Sequence, residues 1–226
     1  MHIWIVDVGV DGNAVELAGR VSATMSYSIA PLNPLTSCSS YNHGTEMAVI
    51  AARSISGVAR KAFIHSARID TKGNCSASTG AGTASIEFIA DNSPRPAVIN
   101  ISNSQDCRGI SGCGDTMDDA TEYAHGRGVA VVVSAGNGNA SHVAQQACGF
   151  SPARVERLIT VGASDLSDAR VDDSDYGSCV DLFAPVESGG GTSSATAATT
   201  GVAALFLQLY PDAPPNAVLN ELVNKL

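Results

Sequence analysis

Positive charge is scarce in this chain. Only 13 Lys and Arg face 22 Asp and Glu, which leaves a net charge of -9. That balance disfavours nucleic acid and anionic membranes as partners. No uninterrupted apolar run approaches the length that spans a bilayer, so no membrane insertion is expected. The opening Met1-His2-Ile3-Trp4 runs straight into a strand-like segment, so the chain is expected to carry no signal peptide, and any export segment would have been removed. No Cys-x-x-Cys occurs, and no His stands near a cysteine pair at zinc-finger spacing, which argues against structural zinc. Gly9-Val10-Asp11-Gly12 lacks the full Gly-x-Gly-x-x-Gly spacing of a dinucleotide loop, and Gly80-Ala81-Gly82 lacks the Lys of a phosphate loop. There is no internal repeat, linker or low-complexity segment. A single domain over residues 1–226 is expected.

What is present is apolar and orderly. Hydrophobic residues make up 44%, enough for a sizeable core and too many for a disordered chain. The cysteines are Cys38, Cys75, Cys107, Cys113, Cys148 and Cys179, an even number that suits disulfides and an oxidising compartment. Cys107 and Cys113 are close enough in sequence for a local bridge. Apolar runs at 3–6, 62–69, 97–101, 129–133, 158–162 and 180–183 read as strands. Helical stretches are expected at 44–55, 83–90 and 115–126, from about Ser193 to Tyr210, and at 217–226. Residues 21–42 and 72–82 read as loops. Strands alternating with helices predict an α/β fold, a mostly parallel sheet covered on both faces.

Four polar residues sit where such folds carry chemistry. Asp7 ends the first apolar strand, and Asn137 follows another, in Ser134-Ala135-Gly136-Asn137. The carboxyl ends of parallel strands are where open α/β sheets bind ligands. His43 opens one predicted helix. Ser193 opens another, behind Gly190 and Gly191, where unpaired N–H groups and the helix dipole favour negative charge. Taken singly, each has a plainer reading: a turn residue for Asp7 and Asn137, a structural His, an N-cap at Thr192 or Ser193. Taken together, a nucleophile, a base and a group that orients the base are what acyl transfer needs.

The local strings carry a family resemblance. IWIVDVGV resembles the aspartate motif of subtilases, the subtilisin-like serine proteases. HGTEMA resembles their histidine motif, VVVSAGN their oxyanion-asparagine motif and GTSSAT their serine motif. The order Asp, His, Ser is that of subtilisin. ACGFSPARVERLITVGASDLSDAR and YGSCVDLFAP are similar to the proteinase K and aqualysin-like branch. The resemblance implies a three-layer sandwich with one left-handed crossover and a secreted, monomeric serine endopeptidase that needs no cofactor for its chemistry. It implies that Asp7 orients His43, that His43 is general base and then acid, and that Ser193 is the nucleophile. Asn137 and the Ser193 N–H would form the oxyanion hole. An extended polypeptide substrate would lie between Ser102-Asn103-Ser104 and Ser134-Ala135-Gly136. A pro-domain or inhibitor is a further expected partner. The resemblance pairs Cys38 with Cys75 and Cys148 with Cys179. It also implies a structural calcium at Asp181, with carbonyls from around Glu156 and Leu158.

The chain departs from the family pattern at several positions. Ser194 stands where Met is usual, Ala197 and Ala198 where Pro and His are usual, and Glu46 where the histidine motif usually repeats His. A long hairpin before the serine is cut to residues 186–190. Ser104 replaces a glycine. These changes keep two alternatives open beside hydrolysis: a protease-like protein that binds peptides without turnover, and a peptide ligase using the same triad.

Overall fold

The structure is a computed structural model that describes residues 1–38, 42–187 and 189–225. Ser39 to Tyr41 of the expected loop, Ser188 of the shortened segment and Leu226 of the last helix lie outside the described residues. In chain order the elements are β1 (His2–Asp7), β2 (Tyr27–Ser28), α1 (His43–Ala52), β3 (Phe63–Arg68), α2 (Thr79–Asn92), β4 (Ala97–Ile101), β5 (Gln105–Asp106), α3 (Asp115–Gly126), β6 (Ala130–Ser134), β7 (Phe150–Ser151), β8 (Ile159–Ser164), β9 (Leu182–Pro185), α4 (Thr192–Leu209) and α5 (Pro215–Lys225).

Seven strands form one sheet in the order β2-β3-β1-β4-β6-β8-β9, and every pairing in it is parallel. A small antiparallel pair, β5 with β7, lies apart. β1 shows why the sheet must be covered twice. Ile3 and Ile5 join one apolar cluster with Met47, Ala51, Ala203 and Leu222 from α1, α4 and α5. Trp4 and Val6 join another with Ile86, Ile89, Met117 and Ala124 from α2 and α3. The period-two alternation of a strand divides its side chains between two helical layers, the expected three-layer α/β sandwich.

The connections differ in hand. β3–α2–β4 and β4–α3–β6 both move along the sheet towards β9 with their helices on one face. β2–α1–β3 moves in the same sense with its helix on the other face. Its hand is therefore opposite. With the first two right-handed, as such crossovers almost always are, the third is left-handed.

Several sequence readings need correction. α1 stops at Ala52, and Ile55 beyond it is exposed. α2 begins at Thr79, inside the expected loop, where the Ser78 hydroxyl caps the Ala81 N–H. The expected 21–42 loop contributes β2, a two-residue edge strand held by β3. α4 buries Ala195, Thr196, Ala197, Thr200, Gly201 and Ala204, while Leu205, Leu209 and Tyr210 are exposed. Leu205 and Leu209, which recur at helical spacing, mark the outer side, whereas Leu207 is buried and Val202 and Phe206 pack partly buried against the core. Apart from Leu207, the buried side is made of small residues because the helix approaches its neighbours closely. A Cβ on Gly201 would come within 2.9 Å of the Ala51 carbonyl oxygen and 2.5 Å of Val58 Cβ.

All six cysteines are paired: Cys38 with Cys75, Cys107 with Cys113 and Cys148 with Cys179.

Candidate active site

The carboxyl ends of β1, β4 and β6 bring the expected residues to one end of the sheet. Asp7 closes β1 and is 4% exposed. Its Oδ1 accepts the Val8 N–H at 2.8 Å, and its Oδ2 meets His43 Nδ1 at 2.8 Å. The contact assigns the Nδ1 proton towards the carboxylate and directs Nε2 away from it. The glycine after the histidine is required by this approach. A Cβ on Gly44 would lie 2.4 Å from the Gly9 carbonyl oxygen and 3.0 Å from Asp7 Cβ. Burial by itself would lower the His43 pKa. The Asp7 hydrogen bond and charge, with the charge of Glu46, outweigh burial and hold the ring above its ordinary value.

Ser193 is the second residue of α4. The N-cap is Gly191, with extended backbone and no capping side chain of its own, so neither Thr192 nor Ser193 fills that role. Asn137 acts in its place from another part of the chain. Its Oδ1 accepts the Thr192 N–H at 2.8 Å and the Thr192 hydroxyl at 3.0 Å. A Cβ on Gly191 would lie 2.6 Å from that oxygen, which is why a glycine precedes the helix. With Oδ1 engaged twice, the Asn137 Nδ2 is the free end of the amide. Among the described residues, the Ser193 N–H meets no acceptor. Two unpaired donors thus stand at the positive end of α4.

The Ser193 hydroxyl donates to the Ser102 carbonyl at 3.2 Å rather than to His43. The Ser102 hydroxyl in turn donates to the Ser193 carbonyl at 3.3 Å and accepts from Asn100 Nδ2 at 2.9 Å. Asn100 Oδ1 accepts from the Thr200 hydroxyl at 3.1 Å. Asn100 and Thr200 are fully buried, so this chain of bonds fastens the start of α4 to the end of β4.

Around these residues, Asn103 is half-buried and Ser104 exposed, whereas Ser134, Ala135 and Gly136 are buried. The Ala135 N–H is taken by the Val161 carbonyl and the Gly136 carbonyl by the Asp175 N–H. The second segment therefore offers fewer free backbone groups than its sequence implies. Beside Asn137 opens a cleft of about 970 Å³ lined by Gly191, Arg170, Val186 and Glu187. Asp181 lies away from this constellation. Its Oδ2 accepts the Thr160 N–H at 2.7 Å, and burial raises its pKa. Among the described residues no three His, Cys, Asp or Glu side chains gather as metal ligands. Calcium takes six to eight oxygens, so carbonyls would have to supply nearly all of them there.

Sequence reading missed Thr192 as the residue that orients Asn137, and missed Asn100, Thr200 and Asp175. Thr192 lay inside a noted motif. The others carry no local signal, because their bonds join distant segments.

Comparison with known proteins agrees with this geometry. The description "Subtilase family" matches residues 1–226. An "Extracellular serine proteinase" of Thermus sp. (strain Rt41A) is 36% identical over 238 aligned residues, covering 99% of this chain and 54% of that protein. An "Alkaline serine exoprotease A" of Vibrio alginolyticus is 34% identical, covering 95% of this chain and 40% of that protein. The chain thus spans about half the length of the curated relatives it matches. A crystal structure of a cold adapted subtilisin-like serine proteinase superposes with a TM-score of 0.87 at 31% identity, covering 99% of this chain and 81% of that one.

Proposed function

The chain belongs to the subtilase family, and from that premise we propose that it is a serine endopeptidase that hydrolyses extended polypeptides through Asp7, His43 and Ser193. The observation that carries the reading is the 2.8 Å bond from His43 Nδ1 to a buried Asp7, at the same end of the sheet as the start of α4. Ser193 leaves the Ser102 carbonyl by rotation about its side chain and passes its proton to His43 Nε2 as its oxygen attacks the scissile carbonyl. Asn137 Nδ2 and the Ser193 N–H receive the developing oxyanion. Asp7 stabilises the imidazolium and keeps the ring oriented. His43 then protonates the leaving amine, and the acyl-enzyme is released when a water, deprotonated by His43, attacks it. The carbonyls of residues 102–104 pair with the acyl side of the substrate, and the cleft beside Asn137 takes the leaving-group side.

Subtilase catalysis needs no cofactor, and no step here runs through calcium. A calcium ion at Asp181 would act on stability alone. No helix among the described residues is long and apolar enough to cross a membrane. Export belongs to the same proposal, supported by a relative named as an extracellular proteinase; a monomeric state and control by a pro-domain or inhibitor are proposed with it from the family resemblance.

The bond from Ser193 to Ser102 favours one competing reading, a peptide-binding protein with an idle serine. Intact-mass analysis after treatment with a fluorophosphonate separates the two. One adduct is expected on the parent chain and none on Ser193→Ala or His43→Ala. A folded parent chain that forms no adduct would sink the enzyme reading and leave the binding one.

A further inference from the structure

Asp175 is fully buried in the connection between β8 and β9. Its backbone N–H donates to the Gly136 carbonyl at 2.9 Å. Its Oδ1 accepts the Gly138 N–H at 3.0 Å and the Gln145 N–H at 2.6 Å. One residue therefore holds both neighbours of Asn137. The contact is close on the other carboxyl oxygen as well. A Cβ on Gly136, whose φ is +115°, would lie 2.2 Å from Asp175 Oδ2. That oxygen is buried and has no hydrogen-bond partner. Burial pushes the carboxyl pKa up, opposed by the Gln145 and Gly138 N–H bonds and the Arg108 charge and reinforced by Asp173. Asp173 itself faces His142, and Arg108 pairs with Asp106.

We propose that Asp175 is a positioning residue for the oxyanion-binding amide, clamping Gly136 and Gly138 so that Asn137 stands where its Nδ2 meets the developing charge. The proposal rests on the acyl-transfer reading above. Asn137 is then fixed from two sides. Thr192 orients its amide through Oδ1, and Asp175 sets its backbone. A buried carboxyl oxygen without a partner is costly, and it persists here because the other oxygen and the main chain do the holding.

The test is a double-mutant cycle between Asp175 and Asn137. Asp175→Ala removes the acceptor and is expected to lower kcat on a peptide anilide about tenfold to a hundredfold, with KM little changed. Asp175→Asn keeps an oxygen at Oδ1 and is expected to retain kcat within about threefold. In an Asn137→Ala background, Asp175→Ala should cost almost nothing further, because the group it positions is gone. A general structural role would lower kcat equally in both backgrounds, and that result would overturn the proposal. So would an Asp175→Ala chain with the parent's kcat. If Asp175→Ala does not fold, Asp175→Asn still decides: a large loss of kcat despite the retained oxygen contradicts the clamp. Amide hydrogen exchange at Gly138 and Gln145 reads the clamp without turnover. Faster exchange at those two sites in a variant lacking the acceptor supports it even if the parent proves inactive. Unchanged exchange there rejects it even if the parent hydrolyses peptides.

Discussion

Glu46 is exposed one helical turn beyond His43, yet its charge contributes to holding the ring's pKa up. A general base must be neutral to accept a proton, so activity should rise as pH climbs through the raised His43 pKa. Glu46→Gln removes one of the charges that favour the imidazolium. The acid limb of kcat/KM should then move to lower pH, and less so in high salt because the charge is exposed. A limb that stays in place would show that burial and Asp7 set the value without Glu46. At this scale the sequence was legible only in part. Asp7, His43, Asn137 and Ser193, which the fold brings to one end of the sheet, could be singled out because each sits in a string long enough to be distinctive. Thr192 as the partner of Asn137 was not, since that bond spans 55 residues and no local pattern encodes it.

Among the elements, α4 gives the clearest lesson. Leu205 and Leu209 share helical spacing with Val202 yet are exposed, and apart from Leu207 the buried side is lined with Ala, Thr and Gly. Periodicity gave the helix but not which side packs most closely, because proximity to α1 excludes bulk there. Gly201→Ala should therefore lower stability by about 1–3 kcal/mol, although alanine is the better helix former. A thermal melt that moves upward would contradict the close approach. β2 was illegible for a related reason: two residues become a strand only because β3 is there to pair with them. β1 and β3 also share a buried histidine. His65 is stacked on Trp4 and touches His2 Nδ1 through Nε2 at 2.8 Å, and burial above all lowers its pKa to about 4. Its neutral form is the native one, so the stability it supports is complete above about pH 6.5 and is lost as pH falls through 4. The loss should reach roughly 3 kcal/mol. Denaturant titrations of the parent and of His65→Phe at pH 7 and pH 4 would check this. The variant's stability should fall less between the two.

Across the whole molecule, three disulfides close loops of unequal length. The separations are 37, 6 and 31 residues for Cys38–Cys75, Cys107–Cys113 and Cys148–Cys179. Chain entropy then ranks them. Removing the first or third should cost about 4 kcal/mol and the second about 2. Paired Cys→Ser variants compared by thermal denaturation would test the order, and an equal loss at all three would refute the entropic account. The three-layer α/β architecture was legible because the apolar runs are long and regular. The odd hand of β2–α1–β3 rests on a two-residue strand, and only the resemblance announced it. The order of the chain has a meaning for how the protein is made. Asp7 and His43, 36 residues apart, pair from segments that leave the ribosome before Ser193 does. Ser193 arrives on α4, after β4, β6 and β8, the strands against which that helix packs. With domains folding as synthesis proceeds, a growing chain holds a base and its orienting carboxylate without a nucleophile. On the proposed mechanism, it has no means of cutting itself or its neighbours until α4 has been added.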